Sequence, residues 1–171
     1  MKTDLQLIKK AKSKDPTAFA ALYEKIYKDL YHFALYTLKN PTDAEDLVSE
    51  TILEAYAQIH KLRREESFKA WIFTILSNKC KQRFKNQNLS LEEIPWDFPE
   101  PCSKNLEMDT IIREEFFSLS DEERLIISMH IFAGYKSREI AKILHMNENT
   151  IRSKESRALK KMAANLKPEK E

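Results

Sequence analysis

The 171-residue chain contains a single glycine, Gly134, and this scarcity excludes several classes of protein. Phosphate-cradling loops and dinucleotide-binding folds need several glycines at fixed offsets, so neither can be built from this sequence. Hairpin turns of the Asn-Gly or Asp-Gly type are missing as well. Because leucine, isoleucine, lysine, glutamate and alanine are abundant instead, the composition predicts an all-α protein.

Cysteines and long apolar runs are also scarce. Cys80 and Cys102 lie too far apart for a metal-binding spacing, and two such thiols are typical of a reducing compartment. The amino-terminal residues lack the apolar run of a signal peptide, and no stretch reaches a membrane-spanning length. We therefore expect a cytoplasmic protein without direct membrane insertion, with no cofactor and no small-molecule substrate.

The net charge is only +2, but acidic and basic residues are segregated along the chain. Residues 43–56 carry only acidic ionisable side chains, whereas residues 61–85 carry eight basic and two acidic ones. Residues 136–161 again carry eight basic residues against three acidic ones. Two basic modules separated by an acidic connector favour two contacts with nucleic acid, with ordinary solvated helix faces as the alternative.

Prolines divide the chain into two helical modules. The proline cluster between residues 94 and 101 is incompatible with a helix, so we predict a flexible linker over residues 86–104. Residues 1–85 and 105–171 then form two small helical domains of four helices each. The expected helices are 5–12, 16–38, one starting at 42, 67–84, 106–117, 120–133, 136–144 and 148–166.

Two of these helices begin with a capping-box pattern, at Thr42 and at Ser120. The helix from Thr42 also separates its residue types, because an apolar stripe and an acidic stripe follow the helical period on different faces. The acidic stripe consists of Asp43, Asp46, Glu50 and Glu54.

A short helix, a three-residue turn and a longer helix near the carboxyl end have the shape of a helix-turn-helix. Ile140, Ala141 and Ile151 supply its packing faces, and Asn147 is placed to cap the second helix. Arginines and small polar residues remain on the outer face, as contacts with base edges and phosphates require. They are Asn149, Thr150, Arg152, Ser153, Ser156, Arg157 and Lys160. A generic pair of packed helices is the alternative.

Several motifs together resemble the extracytoplasmic-function sigma factors of bacterial RNA polymerase. The segment TDAEDLVSET at 42–51 is similar to their region 2.2, and SFKAWIF at 67–73 is similar to their regions 2.3 and 2.4. Residues 15–23 resemble their opening helix, and residues 119–159 resemble their region 4. His145 departs from the family, which usually has glycine there. The resemblance follows the family's order over nearly the whole chain.

This resemblance implies a function in promoter recognition, strand opening and transcription initiation. The RNA polymerase core and promoter DNA are the implied partners, and members of the family are commonly held inactive by an anti-sigma factor. In the family, region 2.2 binds the polymerase. The acidic stripe, with Leu47 beside it, is therefore expected at that contact, since acidic residues suit a basic partner surface.

The resemblance also places the downstream promoter element on residues 61–85. Basic grooves and stacking surfaces hold single-stranded DNA, and this segment has both ingredients. The expected contacts are Lys61, Arg63, Arg64, Ser67, Lys69, Trp71, Asn78, Lys79 and Lys81.

For the upstream element, the resemblance places the last helix in the major groove. Arg152, Ser153 and Arg157 are then nearest to the bases, and Lys154 and Lys160 are at phosphates. The acidic residues of the linker are expected to lie in a basic polymerase channel.

Two other functions stay open at this point. An ordinary helix-turn-helix regulator would bind its operator without polymerase and would need an effector or dimerisation domain in residues 1–85. An enzyme would need catalytic groups at a workable spacing, and the histidines and acidic residues offer none. The histidines are His32, His60, His130 and His145. We therefore expect no enzymatic activity.

Overall fold

The computed structural model describes residues 2–87 and 106–165, and both stretches consist of helices and short connections. No strand occurs among these described residues, in agreement with the predicted all-α class. Residues 88–105, which include the acidic residues of the predicted linker, lie outside the described part of the chain.

Four helices form the amino-terminal group. They are α1 (Lys2–Lys12), α2 (Pro16–Leu38), α3 (Pro41–Gln58) and α4 (Phe68–Gln87). Two 3₁₀ turns, Ile59–Lys61 and Glu65–Ser67, connect α3 to α4. Helix α4 extends to residue 87, so its last turn reaches two residues into the predicted linker.

The ends of α2 lie where the sequence predicts them. The Asp15 carboxylate accepts hydrogen bonds from the backbone N–H groups of Thr17 and Ala18, at 2.9 and 3.2 Å. Pro16 occupies the first helical position, where a missing N–H costs no hydrogen bond. At the other end, Lys39 adopts a left-handed conformation with a φ of 61° and terminates the helix.

The start of α3 corrects the predicted capping box at Thr42. Asn40 caps this helix, because its side-chain oxygen accepts a hydrogen bond from the N–H of Asp43 at 3.1 Å. Pro41 is the first helical residue. The same preference for proline in the first turn that operates at α2 therefore sets the start of α3 as well.

Four further helices form the carboxy-terminal group. They are α5 (Leu106–Ser118), α6 (Asp121–Ile131), α7 (Ser137–Leu144) and α8 (Glu148–Asn165). The capping box of α6 is confirmed, since the N–H of Ser120 donates to the Glu123 carboxylate at 3.1 Å and the Ser120 hydroxyl accepts from the N–H of Glu123 at 3.4 Å. Gly134 follows α6 with a φ of 71°, a conformation that favours glycine.

Large apolar side chains hold α2 and α4 together. Phe33 and Phe73 meet edge to face with their ring centroids 5.5 Å apart. Leu30, Ile72 and Leu76 are fully buried around them. Burial of each such side chain contributes about 1.5–3 kcal/mol, so this cluster stabilises the packing of α4 on α2.

The two groups of helices pack against each other. Helix α6 contacts α2 and α4, and α7 contacts α4. The buried residues Leu125 and Met129 of α6 belong to the same apolar cluster as the core of the first group. The ring of Tyr36 in α2 lies 5.9 Å from that of Phe116 and 5.6 Å from that of Phe132. The apolar core is therefore continuous across the two predicted domains.

Candidate nucleic-acid and protein interfaces

The acidic side chains of α3 form a mixed acidic and apolar surface. Asp46 and Glu50 are exposed, while Asp43 and Glu54 are half-buried. Leu53 lies three residues after Glu50, and 71% of its surface is exposed. Leu53 is not among the residues predicted for this face, although its position off the apolar stripe is a usable signal in the sequence. This face combines negative charge with an uncovered apolar side chain.

Leu47 does not belong to this exposed face. It is 3% exposed and packs in the core with Val48. Consecutive residues of an α-helix are rotated by about 100°, so Leu47 points inward while its neighbour Asp46 points outward. The contact of Leu47 with a partner stays a prediction, although burial separates this side chain from the exposed acidic residues of this face.

Basic residues of α4 pair with part of the acidic stripe. The Lys79 ammonium group lies 3.4 Å from the Glu50 carboxylate and 3.1 Å from the Glu54 carboxylate. Arg83 pairs with Asp43, and this hydrogen bond is the main reason that the pKa of Arg83 is raised. Lys79 therefore faces α3 in this arrangement, and the DNA contact expected for it stays a prediction.

The connection between α3 and α4 presents basic side chains to solvent. Leu62 is buried between the two 3₁₀ turns and anchors the connection, whereas Lys61, Arg63 and Arg64 are exposed. The Ser67 hydroxyl donates to the Arg64 carbonyl at 2.6 Å and closes the second turn. The structure thus brings three of the predicted DNA contacts together on one anchored loop.

Helix α1 supports this loop through an ion pair that the sequence does not predict. The Lys12 ammonium group lies 2.9 Å from the Glu65 carboxylate, with both side chains about a quarter exposed. This hydrogen bond is the main reason that the pKa of Glu65 is lowered. The two residues are 53 positions apart, so no local pattern could have indicated the pair.

The first turns of α4 continue the basic surface of the loop. Lys69 is exposed and its ammonium group lies 2.9 Å from the Asp29 carboxylate of α2. Trp71 is half-buried, with its ring centroid 6.2 Å from that of Phe68. Asn78 is exposed two turns farther along. A partly open aromatic ring and an exposed ammonium group therefore lie close to the loop.

Lys81 has a different environment from the rest of the predicted downstream set. Its ammonium group donates to the carbonyl of Leu144, at the end of α7, with a distance of 2.7 Å. Helix α7 packs on α4 at this point. The DNA contact expected for Lys81 stays a prediction, and in this arrangement the ammonium group is turned toward α7.

Helices α7 and α8 have the predicted helix-turn-helix geometry. Ile140 and Ile151 are fully buried between them. His145 begins the turn in a left-handed conformation with a φ of 56°. Glycine adopts this conformation most easily, which explains why the family that the chain resembles usually has glycine at this position. The Asn147 side chain accepts a hydrogen bond from the N–H of Asn149 at 2.8 Å and caps α8 as predicted.

The outer face of α8 is open to solvent. The exposed residues include all seven that the pattern placed there: Asn149, Thr150, Arg152, Ser153, Ser156, Arg157 and Lys160. Arg152 pairs with Glu148 at 2.6 Å, and the Nε of Arg157 donates to the Ser153 carbonyl at 3.2 Å. Because these partners belong to α8 or its first turn, the two arginines stay on the outer face.

Lys154 lies on the inner side of α8. Its ammonium group is 2.7 Å from the Glu122 carboxylate of α6. It follows the buried Ile151 by three residues and precedes the buried Ala158 by four, so it shares their side of the helix. The phosphate contact that the resemblance implies for Lys154 stays a prediction, and in this arrangement the side chain pairs with α6.

Leu159 is an exposed apolar residue of α8 that sequence reasoning missed. Half of its surface is exposed, and a shallow groove runs beside it. The groove is lined by Arg152, Glu155, Ser156, Leu159, Lys160 and Ala163. An apolar side chain among polar ones is compatible with contact to a thymine methyl group.

The described residues contain no group of three or more His, Cys, Asp or Glu side chains that could hold a metal ion. Cys80 is fully buried, and burial raises the pKa of its thiol, so the group stays protonated and unreactive. Within residues 2–87 and 106–165, no helix is both long and apolar enough to cross a membrane.

Comparisons with known proteins match both groups of helices. The family described as Sigma-70 region 2 matches residues 22–89, and Sigma-70, region 4 matches residues 111–162. The ECF RNA polymerase sigma factor SigX of Bacillus subtilis (strain 168) is 26% identical, over 83% of this chain and 80% of its own length. The RNA polymerase sigma factor SigV of the same organism is 29% identical, over 83% of this chain and 87% of its own length.

Two solved structures have a similar fold. The sigma factor RpoE, in complex with the anti-sigma factor NepR from Bartonella quintana, has a TM-score of 0.71 at 24% identity, over 89% of this chain and 98% of that chain. CnrH, in complex with the cytosolic domain of CnrY, has a TM-score of 0.67 at 20% identity, over 96% of this chain and 97% of that chain.

Two helical groups in this order, the second with a helix-turn-helix, define a transcription initiation factor of the sigma-70 type. The chain belongs to the sigma-70 family, within its extracytoplasmic-function group. It is an RNA polymerase sigma factor that acts in promoter recognition and transcription initiation, which is a regulatory role rather than a catalytic one.

Proposed function

We propose that three exposed surfaces of this sigma factor divide the steps of initiation between them. The acidic face of α3 binds the RNA polymerase core. The loop before α4, with the first turns of α4, holds the unpaired strand of the downstream element. The outer face of α8 reads the upstream element as duplex. Residues 1–85 and 105–171 are the two units that carry these contacts, and residues 86–104 join them.

The α3 face has the features of a protein-docking surface. Asp46 and Glu50 are exposed carboxylates that attract a basic partner and set its register. Leu53 supplies an uncovered apolar side chain whose full burial would contribute about 1.5–3 kcal/mol. Leu53 therefore extends the contact set that the sequence indicates, and it takes the place of the buried Leu47.

The loop and the start of α4 have the features of a single-strand site. Lys61, Arg63 and Arg64 offer exposed positive charge for phosphates. Trp71 keeps part of its ring exposed, and unpaired bases stack on such surfaces. A base that leaves the duplex loses a few kcal/mol of stacking, which a stacking surface and backbone groups of the loop can offset.

The outer face of α8 has the features of a duplex reader. Arg152 and Arg157 are exposed, and the small side chain of Ser153 leaves room for close approach. A guanidinium group can bind both major-groove acceptors of a guanine at once. Lys160 lies farther along the same face, where a phosphate contact fixes the position of the helix.

This function places the protein in the cytoplasm, with the polymerase, and it requires no catalytic group of the chain itself. In the solved structure of similar fold, RpoE is bound by an anti-sigma factor. We infer that a partner of the same class binds this chain and competes with the polymerase core.

The observation that carries the proposal is the presence in one chain of an exposed recognition helix and a separate acidic docking face. An ordinary helix-turn-helix regulator needs no such second face. Transcription in vitro with purified core polymerase on a genomic library, with start sites mapped, tests the proposal. We expect new start sites only when chain and core are both present. Specific footprints by the chain alone, without new start sites, would favour the ordinary regulator.

A further inference from the structure

Glu155 is an acidic residue on α8, the helix that is proposed to read the upstream element, and its side chain is directed toward the neighbouring helices. The side chain is 17% exposed, and its carboxylate accepts a hydrogen bond from the Ser137 hydroxyl at 3.1 Å. Ser137 is the first residue of α7. The contact therefore joins the middle of α8 to the start of the helix before it.

A histidine in the last turn of α6 borders the same carboxylate. Nδ1 of His130 donates to the Tyr135 carbonyl at 2.9 Å and lies 3.7 Å from the Glu155 carboxylate. Because a carbonyl oxygen only accepts, this nitrogen carries the hydrogen and presents partial positive charge near the carboxylate. Glu155 thus connects α8 with the end of α6 as well as with the start of α7.

The other contacts of α8 leave its rotation about its own axis less well defined. Ile151 and Ala158 are buried, but apolar packing is not directional. Lys154 and Lys161 pair with carboxylates of α6 through long, flexible side chains. The Glu155 carboxylate instead accepts from a hydroxyl on a short side chain, and such a bond has a narrow range of distances and angles. Glu155 is therefore the contact that restricts rotation most.

The rotation of α8 determines where Arg152 points. Arg152, Glu155 and Leu159 line the same groove, because residues three and four positions apart share one side of a helix. Side-chain ends lie about 5 Å from a helix axis, so a rotation of about 10° moves them by about 1 Å. A hydrogen bond to a base edge does not survive such a displacement. A residue that fixes the rotation therefore controls which base edges Arg152 reaches.

The charge of Glu155 acts in the opposite direction from its hydrogen bond. A carboxylate on a helix that lies against DNA is repelled by the phosphates of every sequence, so it lowers the non-specific affinity. The hydrogen bond, in contrast, favours only the sequences that match the fixed position of Arg152. Removing the charge and removing the hydrogen bond should therefore have different effects on binding.

We propose that Glu155 is a positioning residue for upstream recognition. Through Ser137 it fixes the rotation of α8 at which Arg152 reaches its base, so it raises sequence discrimination while it lowers affinity for DNA in general. This inference rests on the duplex-reading function proposed for α8.

Three variants separate the hydrogen bond from the charge. Glu155→Gln removes the charge but keeps an oxygen that can accept from Ser137. Glu155→Ala removes both the charge and the acceptor, and Ser137→Ala removes the donor but keeps the charge. The matched control is Ser118→Ala, at an exposed serine of α5 whose hydroxyl donates within its own helix. Circular dichroism verifies that all the chains fold.

Binding of each full chain to an upstream duplex, to its single-base variants and to an unrelated duplex is measured by fluorescence anisotropy. We expect Glu155→Ala and Ser137→Ala to lose discrimination several-fold at the base pair that Arg152→Ala also affects. Glu155→Gln and the control should discriminate as the wild-type chain does. Affinity for the unrelated duplex should rise several-fold in both Glu155 variants and should not change in Ser137→Ala, because only the Glu155 variants lose a negative charge.

The rotation of α8 is measured without DNA by residual dipolar couplings of its backbone amides in the free chain. The couplings should change in Glu155→Ala and Ser137→Ala but not in Glu155→Gln. Unchanged couplings in all three variants would overturn the inference. Wild-type discrimination in Ser137→Ala would also overturn it, as would equal discrimination in Glu155→Gln and Glu155→Ala.

Failure of the proposed function gives a different result from failure of this inference. If the wild-type chain itself shows no preference among the duplexes, the function proposed for α8 fails, whatever the couplings show. If the wild-type chain discriminates and the variants rotate α8 without any loss of discrimination, the function stands and the positioning role of Glu155 is refuted.

Discussion

The two helices proposed to bind DNA, α4 and α8, carry five basic residues each but are held in different ways. On α8, Lys154 and Lys161 pair with α6, but Arg152 and Arg157 contact their own helix and stay on its outer face. On α4, Lys69, Lys79 and Lys81 reach across to α2, α3 and α7 respectively. The outer face of α8 is thus exposed in the isolated chain. Much of the basic surface of α4, by contrast, is paired with other helices of the same chain.

This difference suits the two forms of DNA that the helices are proposed to meet. Duplex is present before the polymerase acts, so a face for duplex can be permanently exposed. Unpaired bases exist only after the duplex opens, and a basic surface left open before that moment would bind phosphates without regard to sequence. Pairing within the chain lowers this non-specific attraction.

The largest expected effect is a loss of affinity for the polymerase core when the α3 face is changed. This change should separate polymerase binding from DNA binding. Reversal of Asp46 and Glu50 to Lys should weaken core binding by several kcal/mol, because like charges then meet across the interface. Upstream duplex binding by the chain should not fall. Fluorescence anisotropy measures the affinity of each variant for the core. The matched control is Glu24→Lys with Glu114→Lys, which makes the same change in net charge at exposed sites elsewhere. Wild-type affinity in the Asp46 and Glu50 variant would refute the docking face.

The second expected effect is a loss of affinity and base preference for the upstream element when the outer face of α8 is changed. Arg152→Ala or Arg157→Ala should each cost about 1–3 kcal/mol and relax base preference at one position. Lys160→Ala should weaken binding evenly across sequences and reduce the salt dependence, since it removes a phosphate contact. Binding to a set of single-base promoter variants at several salt concentrations separates the two behaviours. Equal losses on every sequence for all three variants would mean that none of them reads bases.

A third prediction isolates the apolar part of the α3 face. Leu53→Ala should weaken core binding by about 1–2 kcal/mol, because less apolar surface is buried on docking. The stability of the free chain should hardly change, since Leu53 is already exposed. Leu159→Ala on α8 is the matched control and should leave core affinity unchanged. A large loss of thermal stability in Leu53→Ala would show that this side chain is needed for the fold instead.

The smallest effect concerns the ion pair between Lys12 and Glu65 that supports the loop. Lys12→Glu or Glu65→Lys should each reduce the open-complex fraction modestly, since solvent screens ion pairs of this exposure and leaves them weak. The double variant should recover the loss. Because the pKa of Glu65 is lowered, the pair is present at neutral pH and is lost as the pH falls through the acidic range. Additive losses in the double variant would show that the two residues act separately.

The sequence predicts the helices well because their signals are local. Asp15 with Pro16 and Ser120 with Glu123 mark helix starts through contacts within a few residues, and both are observed. The predicted start at Thr42 is wrong by one residue, because Pro41 begins α3 rather than separating it from α2. Outward-facing residues of α8 follow from the helical period for the same local reason.

The environment of individual basic residues could not be predicted in this way. Lys79, Lys81 and Lys154 contact other helices, and those contacts depend on how the helices pack. Leu47 lies on the apolar stripe and is buried accordingly, so its inclusion in the docking face conflicted with the pattern itself. Leu53 was within reach of sequence reasoning, because an apolar residue off the stripe of an amphipathic helix is a sign of an exposed contact.

The proposed division of DNA binding between α4 and α8 is tested most directly by a double footprint of one promoter complex, with DNase I for the upstream element and permanganate for unpaired thymines. The variant in which Arg63, Arg64 and Lys69 are all changed to Ala is compared with the variant in which Arg152 and Arg157 are changed to Ala. The first should retain core binding and upstream protection but lose thymine reactivity, increasingly so as salt is raised. The second should lose upstream protection. Normal thymine reactivity at moderate salt in the first variant would contradict the account, because strand capture would then lie elsewhere.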